Sequence, residues 1–171
     1  MKIAVLGFSG SGKSTLAKKL AEHHGIPVLY LDTVQWLPGW VAQKKEIKDE
    51  KIRSFLDTHS EWVIDGNYSR FSFERRLEEA DQIVILRFGR IACLWRAFRR
   101  QVKYRGRTRE SMTAGCPEKM DREFIRWILR DGRTKQACDR LDGIVSQYAE
   151  KTVVLKNQRQ LTAFERRGFV K

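Results

Sequence analysis

Five short apolar runs are spaced along the chain, and each has the length of a β-strand. They occupy residues 2–6, 27–31, 61–65, 82–87 and 151–156. Continuous apolar runs of roughly four to eight residues are typical of strands that are buried on both faces of a sheet. The pattern therefore predicts five interior strands.

The stretches between these runs repeat their apolar residues every three or four positions, which is the spacing of an amphipathic helix. The stripes consist of Leu16, Leu20 and Ala21; Ile52, Phe55, Leu56 and His59; Ile91, Leu94, Trp95, Phe98 and Val102; and Ala137, Leu141, Ile144, Val145 and Tyr148. Strands that alternate with helices predict an α/β fold with a parallel sheet, because right-handed crossovers place helices on both faces.

Length and composition narrow the class of protein. The 171 residues fit one domain, residues 1–171, and 42% of them are hydrophobic, enough for a folded core. No run approaches the roughly 20 apolar residues of a membrane-spanning helix, so we expect a soluble chain with no membrane partner. Three widely spaced cysteines (Cys93, Cys116 and Cys138) indicate neither a disulfide framework nor a zinc site, and they suit a reducing cytoplasm.

The charge is strongly basic, with 34 Lys and Arg against 21 Asp and Glu and a net charge of +13. Much of the excess falls in residues 87–109, where basic residues occur without a single acid: Arg87, Arg90, Arg96, Arg99, Arg100, Lys103, Arg105, Arg107 and Arg109. Nucleic acids, anionic membranes and phosphorylated small molecules are all suitable partners for such a chain. This segment belongs to a helical insertion of about residues 88–133, the basic insertion, which we interpret as a mobile cover.

Residues 7–14 read GFSGSGKS and match the pattern G-x-x-x-x-G-K-[ST] without a mismatch. A predicted strand precedes this P-loop and a predicted helix follows it, so its backbone N–H groups are placed to wrap a phosphate chain. Lys13 is expected to reach the β- and γ-phosphates of ATP, and the Ser14 hydroxyl to bind Mg²⁺. The predicted nucleotide-binding residues are Gly7, Ser9, Gly10, Ser11, Gly12, Lys13, Ser14 and Thr15.

Two aspartates end predicted strands, at the sheet edge where ligands of parallel α/β proteins bind. Asp65 ends the third strand and either holds Mg²⁺ or begins a turn with Gly66 and Asn67. Asp32 ends the second strand and is a candidate to accept a proton from an acceptor hydroxyl or to hydrogen-bond it.

An acceptor site is predicted beside these carboxylates. Trp36 and Trp40 flank a Pro-Gly turn, and they either stack on a flat acceptor or belong to the core. Arg70 either grips an anionic acceptor or is a surface residue. The predicted substrate-binding residues are Asp32, Trp36, Trp40, Tyr68 and Arg70.

Arginines of the basic insertion are candidates for catalysis. Phosphoryl transfer needs positive charge around the moving group more than it needs covalent chemistry. The candidates are Arg96, Arg100, Arg105 and Arg107, together with Lys13 and Asp32. For any one arginine the alternative is a solvated basic face, although that explains nine basic residues without an acid poorly.

Several blocks resemble the adenylate-kinase-related P-loop proteins known as DNA topology modulation proteins of the FlaR type. Besides the P-loop they are residues 36–40 (WLPGW), 62–68 (WVIDGNY), 94–96 (LWR), 105–109 (RGRTR) and 115–118 (GCPE), leading to residues 124–127 (FIRW). The resemblance implies a three-layer α/β/α P-loop fold with five parallel strands in the order 2-3-1-4-5, ATP and Mg²⁺ as cofactors, and a lid.

Three functions fit these predictions. The first is an ATP-dependent phosphotransferase that acts on a small acceptor such as a nucleoside, a nucleotide or another hydroxylated metabolite. The second is a nucleotide-dependent regulator that binds DNA through the basic insertion. The third is an NTPase whose hydrolysis drives a conformational switch. We favour the first, because a lid over a triphosphate accounts for both the P-loop and the basic insertion.

Overall fold

The computed structural model describes residues 1–170. Its strands are β1 (Lys2–Gly7), β2 (Val28–Tyr30), β3 (Trp36–Leu37), β4 (Val41–Ala42), β5 (Trp62–Asp65), β6 (Gln82–Leu86) and β7 (Thr152–Leu155). Its α-helices are α1 (Lys13–His24), α2 (Leu31–Gln35), α3 (Lys45–Thr58), α4 (Phe73–Glu79), α5 (Arg90–Lys103), α6 (Arg122–Leu129), α7 (Lys135–Gln147) and α8 (Gln158–Arg166). Short 3₁₀ helices occupy Pro38–Trp40, Asp131–Arg133 and Ala149–Lys151.

The five predicted strands form one parallel sheet in the order β2-β5-β1-β6-β7. Counted along the five long strands, this is the order 2-3-1-4-5 that the resemblance implies, so the predicted fold class is confirmed. β1 lies at the centre, with Val5 paired to Asp65 of β5 on one side and to Val84 of β6 on the other. The register therefore brings the P-loop, which follows β1, next to the carboxyl end of β5.

Alternating side chains of the sheet pack into two hydrophobic layers, one on each face. Ile3 and Val5 face a layer that contains Leu20 of α1. Ala4 and Leu6 face the opposite layer, which takes in the apolar stripes of α3 and α7. Since every β1 residue from Ile3 to Leu6 is at most 1% exposed, the strand is buried on both faces, as its continuous apolar run predicts.

Helix α5 departs from the prediction, because an apolar stripe normally faces the core. Four of its large apolar side chains are instead exposed, namely Ile91 (74%), Trp95 (60%), Phe98 (48%) and Val102 (61%), and only Leu94 of the stripe packs against the core. The fully buried positions of the helix are Cys93 and Ala97. These small residues allow α5 to approach the P-loop closely, and the neighbouring Arg96 reaches that loop. Within residues 1–170, no helix is both long and apolar enough to cross a lipid bilayer.

Candidate active site

A cavity of about 1620 Å³ opens at the carboxyl ends of β1, β2 and β5, between the P-loop and the basic insertion. Ligands of parallel α/β proteins bind at this edge of the sheet. Twelve basic side chains line it: Lys13, Lys18, Lys45, Lys48, Arg70, Arg96, Arg99, Arg100, Lys103, Arg109, Lys119 and Arg140. Seven acidic side chains accompany them: Asp32, Asp65, Glu110, Glu118, Asp121, Glu123 and Asp131. The excess of positive charge favours an anionic ligand.

The P-loop is packed so tightly that two of its glycines admit no side chain. A Cβ on Gly7 would lie 2.3 Å from the carbonyl oxygen of Leu86, and Gly7 has a φ of +140°. A Cβ on Gly10, whose φ is +78°, would lie 2.5 Å from the carbonyl oxygen of Cys93. The loop therefore stays close to β6 and α5 and leads directly into the N-terminus of α1, where backbone N–H groups attract phosphate.

The basic insertion contacts the P-loop through two hydrogen bonds. The indole Nε1 of Trp127 donates to Ser9 Oγ at 3.0 Å, and Arg96 Nη1 donates to the carbonyl oxygen of Ser11 at 2.7 Å. Ser11 itself is fully buried and Thr15 lines the cavity, whereas Gly7 and Ser11 lie behind its surface. The insertion thus covers the loop as a lid would.

A candidate magnesium site lies where α1 meets β5. The Ser14 hydroxyl donates to Asp65 Oδ2 at 2.5 Å, and Asp65 is only 5% exposed. The other carboxylate oxygen, Oδ1, is buried and has no hydrogen-bond partner within residues 1–170. Burial raises the pKa of Asp65, against the opposing effects of Lys13 and of the Ser14 hydrogen bond. A hydroxyl beside an unpartnered carboxylate oxygen fits the oxygen ligands that Mg²⁺ takes.

The ammonium group of Lys13, which we predicted to bind phosphate, lies at the P-loop. Its Nζ donates to the carbonyl oxygen of Phe8 at 3.1 Å, at the start of the loop. Burial lowers the pKa of its ammonium group, while Asp65 and Asp32 act in the opposite direction. Because the ammonium has a carbonyl as its hydrogen-bond partner and no carboxylate in contact, an incoming phosphate can compete for it.

Asn67 holds the start of the P-loop, a role that we did not predict. Its Oδ1 accepts from the backbone N–H of Gly7 at 2.9 Å, and its Nδ2 donates to the carbonyl oxygen of Gly7 at 2.5 Å. The available signal was its place in the Asp-Gly-Asn-Tyr block directly after β5. A side chain from the loop after β5 therefore fixes the loop after β1.

Arg76 of α4 fixes the segment that carries Asn67, and it too was missed. It is 1% exposed, and its guanidinium donates to the carbonyl oxygens of Phe71 (2.9 Å), Gly66 (3.3 Å) and Tyr68 (2.7 Å). Burial lowers its pKa to about 10. Within residues 1–170, three backbone acceptors and no carboxylate contact this cation, so it serves to hold the chain from Gly66 to Phe71 in place.

The part of the cavity that we predicted to bind an acceptor, here named the acceptor side, is built around Asp32, at the start of α2. Its Oδ1 accepts a hydrogen bond from the Tyr68 hydroxyl at 2.7 Å. Burial and the adjacent Asp32 raise the pKa of Tyr68, so its hydroxyl remains a donor. Trp36 and Trp40 lie on the β3–β4 hairpin, with ring centroids 5.7 Å apart in an edge-to-face arrangement. Both tryptophans are half-buried and line the cavity, and neither belongs to the two hydrophobic layers.

The remaining predicted residues divide into those that reach the cavity and those that do not. Arg70 is exposed and lines the cavity, and Arg96 and Arg100 line it from α5. Arg105 and Arg107 are exposed and lie outside it, because α5 ends at Lys103 and the chain turns there. Two residues that we did not single out as site residues occupy the acceptor side instead, namely Arg109 and Glu118.

With this geometry in hand, the fold can be compared with known proteins. It is the P-loop kinase fold, of the kind found in nucleotide and sugar kinases. A gluconokinase from Sinorhizobium meliloti superposes with a TM-score of 0.54 and 18% identity, covering 98% of this chain and 89% of the other. Two shikimate kinases superpose similarly, from Bacteroides thetaiotaomicron (TM-score 0.51, 16% identity, 98% and 95% covered) and, in complex with shikimate, from Acinetobacter baumannii (0.55, 15%, 96% and 89%).

A comparison of sequences also finds a kinase. The chain is 32% identical over 90 residues to a cytidylate kinase from Pyrococcus horikoshii, a match that covers 53% of this chain and 42% of that protein. No family model matches the chain. The chain thus matches less than half the length of this curated relative.

Proposed function

We propose that the protein is an ATP-dependent phosphotransferase that moves the γ-phosphoryl group of Mg-ATP to a hydroxyl of a small acceptor. The observation that carries this proposal is the arrangement of two carboxylates at one sheet edge. Asp65 is bonded to Ser14 beside the P-loop, and Asp32 is bonded to Tyr68 on the acceptor side. A cytidylate kinase, a gluconokinase and two shikimate kinases are among the proteins with similar sequence or fold.

The donor side binds ATP and the metal ion. The loop N–H groups and Lys13 hold the phosphates, and Ser14 and Asp65 would hold Mg²⁺. The bound ion supplies charge neutralisation on the phosphate oxygens. Arg96, which is anchored to the Ser11 carbonyl at the P-loop, adds positive charge from the basic insertion.

The acceptor side orients the nucleophile. Asp32 hydrogen-bonds the acceptor hydroxyl, and Trp36, Trp40, Tyr68 and Arg70 surround the rest of the acceptor. The hydroxyl oxygen forms a bond to the γ-phosphorus while the bond to the β–γ bridging oxygen breaks. The hydroxyl proton passes to Asp32, and ADP leaves with the electron pair of the broken bond.

Nucleotide binding is tested by thermal unfolding of the wild type and of Lys13→Ala. A ligand at 100 times its Kd stabilises the folded state by about 2.7 kcal/mol, so Mg-ATP should raise the melting temperature by roughly 5 to 11 °C. Lys13→Ala should lose most of that shift. The exposed Lys51→Ala on α3 is the matched control and should keep it. A wild type that shows no shift with millimolar ATP, GTP or their diphosphates contradicts the proposal.

Phosphotransfer is tested by ADP formation across a panel of nucleosides, nucleotides, sugars and hydroxy acids. Turnover should depend on one class of acceptor. Asp32→Asn should lower that turnover by roughly 10² to 10⁴-fold while the Mg-ATP melting shift stays near normal, because Asp32 serves the acceptor. Asp65→Asn should instead weaken Mg²⁺-dependent nucleotide binding. ADP formation that is fast without any acceptor would identify the NTPase alternative.

A further inference from the structure

Glu118 of the basic insertion sits between two arginines that come from different parts of that insertion. Arg100 Nε of α5 donates to Glu118 Oε2 at 2.8 Å, and Arg109 Nε lies 2.6 Å from Oε1. The Glu118 side chain is only 5% exposed, and that of Arg109 is 13% exposed. A buried carboxylate is costly unless it is paired, so this arrangement fixes both guanidinium groups.

The pairing leaves guanidinium donors over, because Arg100 and Arg109 share Glu118 and Arg109 makes only a longer ion pair with Asp32, at 3.5 Å. Arg100 and Arg109 both line the cavity. The Nη atoms of Arg100 have no hydrogen-bond partner within residues 1–170, although its guanidinium lies 5.8 Å from the Phe124 ring centroid. The outer edges of the two groups are therefore available to a ligand.

The position of Arg109 indicates that these guanidinium groups face the acceptor rather than ATP. Its Nη2 lies 3.5 Å from Asp32 Oδ2, beyond a normal hydrogen bond, whereas Tyr68 holds the other oxygen at 2.7 Å. Two other guanidinium groups contact the P-loop, since Arg96 donates to the Ser11 carbonyl and that of Arg133 lies 3.9 Å from the centroid of the Phe8 ring. Arg100 and Arg109 pair with Glu118 instead. The arginines thus divide between the donor side and the acceptor side of the cavity.

We propose that Arg100 and Arg109, held in place by Glu118, bind an anionic group of the acceptor, a carboxylate or a phosphate, beside the hydroxyl that is phosphorylated. This inference rests on the phosphotransferase function proposed above and names its substrate class. Arg100 and Arg109 contact the substrate, and Glu118 is a positioning residue. The two parallel N–H donors of a guanidinium group match two oxygens of a carboxylate or of a phosphate.

The experiment uses acceptors in matched pairs that differ by one anionic group. A nucleoside is compared with its 5′-monophosphate, and a sugar alcohol with the corresponding sugar acid, so that the pairs also separate phosphate from carboxylate. At least one anionic member should be phosphorylated with a kcat/KM about 10- to 100-fold above that of its neutral partner. Equal kcat/KM values for both members of every active pair overturn the inference and leave the phosphotransferase intact.

Variants show whether the named residues cause the preference. Arg109→Gln should raise the KM of the anionic acceptor about 10- to 100-fold and change that of the neutral partner at least 10-fold less. Arg53→Gln on α3, an exposed arginine outside the cavity, is the matched control and should change neither. An unchanged KM in Arg109→Gln, with its unfolding midpoint near that of the wild type, overturns the assignment.

Glu118→Gln separates positioning from simple neutralisation. The change makes the cavity more positive, so an anion would bind more tightly if Glu118 only neutralised charge. If Glu118 positions the two guanidinium groups, KM for the anionic acceptor rises instead, and Glu118→Asp restores part of the loss because it keeps the charge. Tighter binding in Glu118→Gln therefore overturns the positioning role.

Binding measurements decide the subsite even without turnover. The protein is saturated with a non-hydrolysable ATP analogue, which fills the P-loop, and is then titrated with inorganic phosphate and with acetate. Wild type should bind at least one of them about 10-fold more tightly than Arg109→Gln does. Equal affinities for both ions overturn the subsite, whereas ATP binding without phosphotransfer to any acceptor overturns the proposed function.

Discussion

Arg76 is one buried side chain that holds a whole loop of the candidate active site. It contacts neither the cavity nor any carboxylate, yet its three hydrogen bonds hold the chain from Gly66 to Phe71. That chain carries Asn67, which binds the backbone of Gly7, and Tyr68, which binds Asp32. The guanidinium of Arg76, which lies behind the cavity, therefore supports both the donor side and the acceptor side.

Replacing Arg76 should be costly. Arg76→Met leaves three backbone carbonyls without their donor, and a buried unsatisfied group costs about 1–3 kcal/mol. We expect a loss of about 3 kcal/mol or more in the free energy of unfolding, measured by urea titration. The adjacent Arg75→Met is the control. Arg75 is 38% exposed and makes surface ion pairs with Asp57 and Glu79, so its loss should be about 0–1 kcal/mol. Similar losses in the two variants would contradict this role.

The roles of single residues differ in how well the sequence predicts them. Lys13, Ser14 and Asp65 follow from local motifs, because the P-loop and the strand end are contiguous in the chain. Arg76 and Glu118 carry no such signal, since each acquires its role only through partners that folding brings to it.

At the level of elements, α5 is the clearest difference between pattern and structure. Its period predicts a helix, and residues Arg90–Lys103 form one. The helix is rotated, however, so that Cys93 and Ala97 are buried and all of the apolar stripe except Leu94 is exposed. Close contact with the P-loop, where Gly10 faces the Cys93 carbonyl, requires small residues on the inner face.

This orientation predicts opposite effects of two substitutions. Trp95→Ala removes an exposed ring and should change the free energy of unfolding by less than about 0.5 kcal/mol. Ala97→Leu adds atoms to a position that is 1% exposed and should cost about 1–3 kcal/mol. Urea denaturation of both variants measures the difference. A Trp95→Ala loss of about 3–5 kcal/mol, the cost of emptying a core site, would mean that the stripe is buried after all.

At the scale of the whole molecule, the basic residues differ in whether they have partners within the protein. Several of the nine basic residues from 87 to 109 have partners inside the protein: Arg87 with Asp142, Arg90 with the Leu129 carbonyl, Arg96 with the Ser11 carbonyl, and Arg100 and Arg109 with Glu118. Arg99, Lys103, Arg105 and Arg107 form no ion pair or side-chain hydrogen bond within residues 1–170. Five of the nine charges are thus paired within the protein, and four remain for an external anion.

This distribution predicts weak, non-specific binding to duplex DNA. If all nine charges met phosphates, the logarithm of the binding constant would fall against that of salt with a slope of about −8, whereas four charges give about −4. We expect a slope no steeper than about −4, and a double variant Arg105→Gln/Arg107→Gln should reduce it by about 2. Fluorescence anisotropy across a salt series measures both. Tight, sequence-selective binding with a slope near −8 would favour the DNA-binding regulator.

The sequence by itself determined the five strands of the main sheet and the position of the P-loop. Apolar runs predicted these strands to within about one residue, because strands buried on both faces need continuous apolar sequence. The P-loop motif predicted the residues that we propose to bind phosphate, since its geometry is encoded in adjacent positions. The order of the sheet followed only from the resemblance to a known family.

The tertiary structure decided how the acceptor side is completed. Asp32 and Tyr68 were predicted as acceptor-binding residues, but nothing in the local sequence indicates that Arg109 and Glu118 lie beside them. It also decided which face of α5 is buried, because contact with the P-loop outweighed the apolar period. Local patterns fix what depends on neighbours in the chain, whereas side chains that act through distant partners are assigned only when the fold brings those partners together.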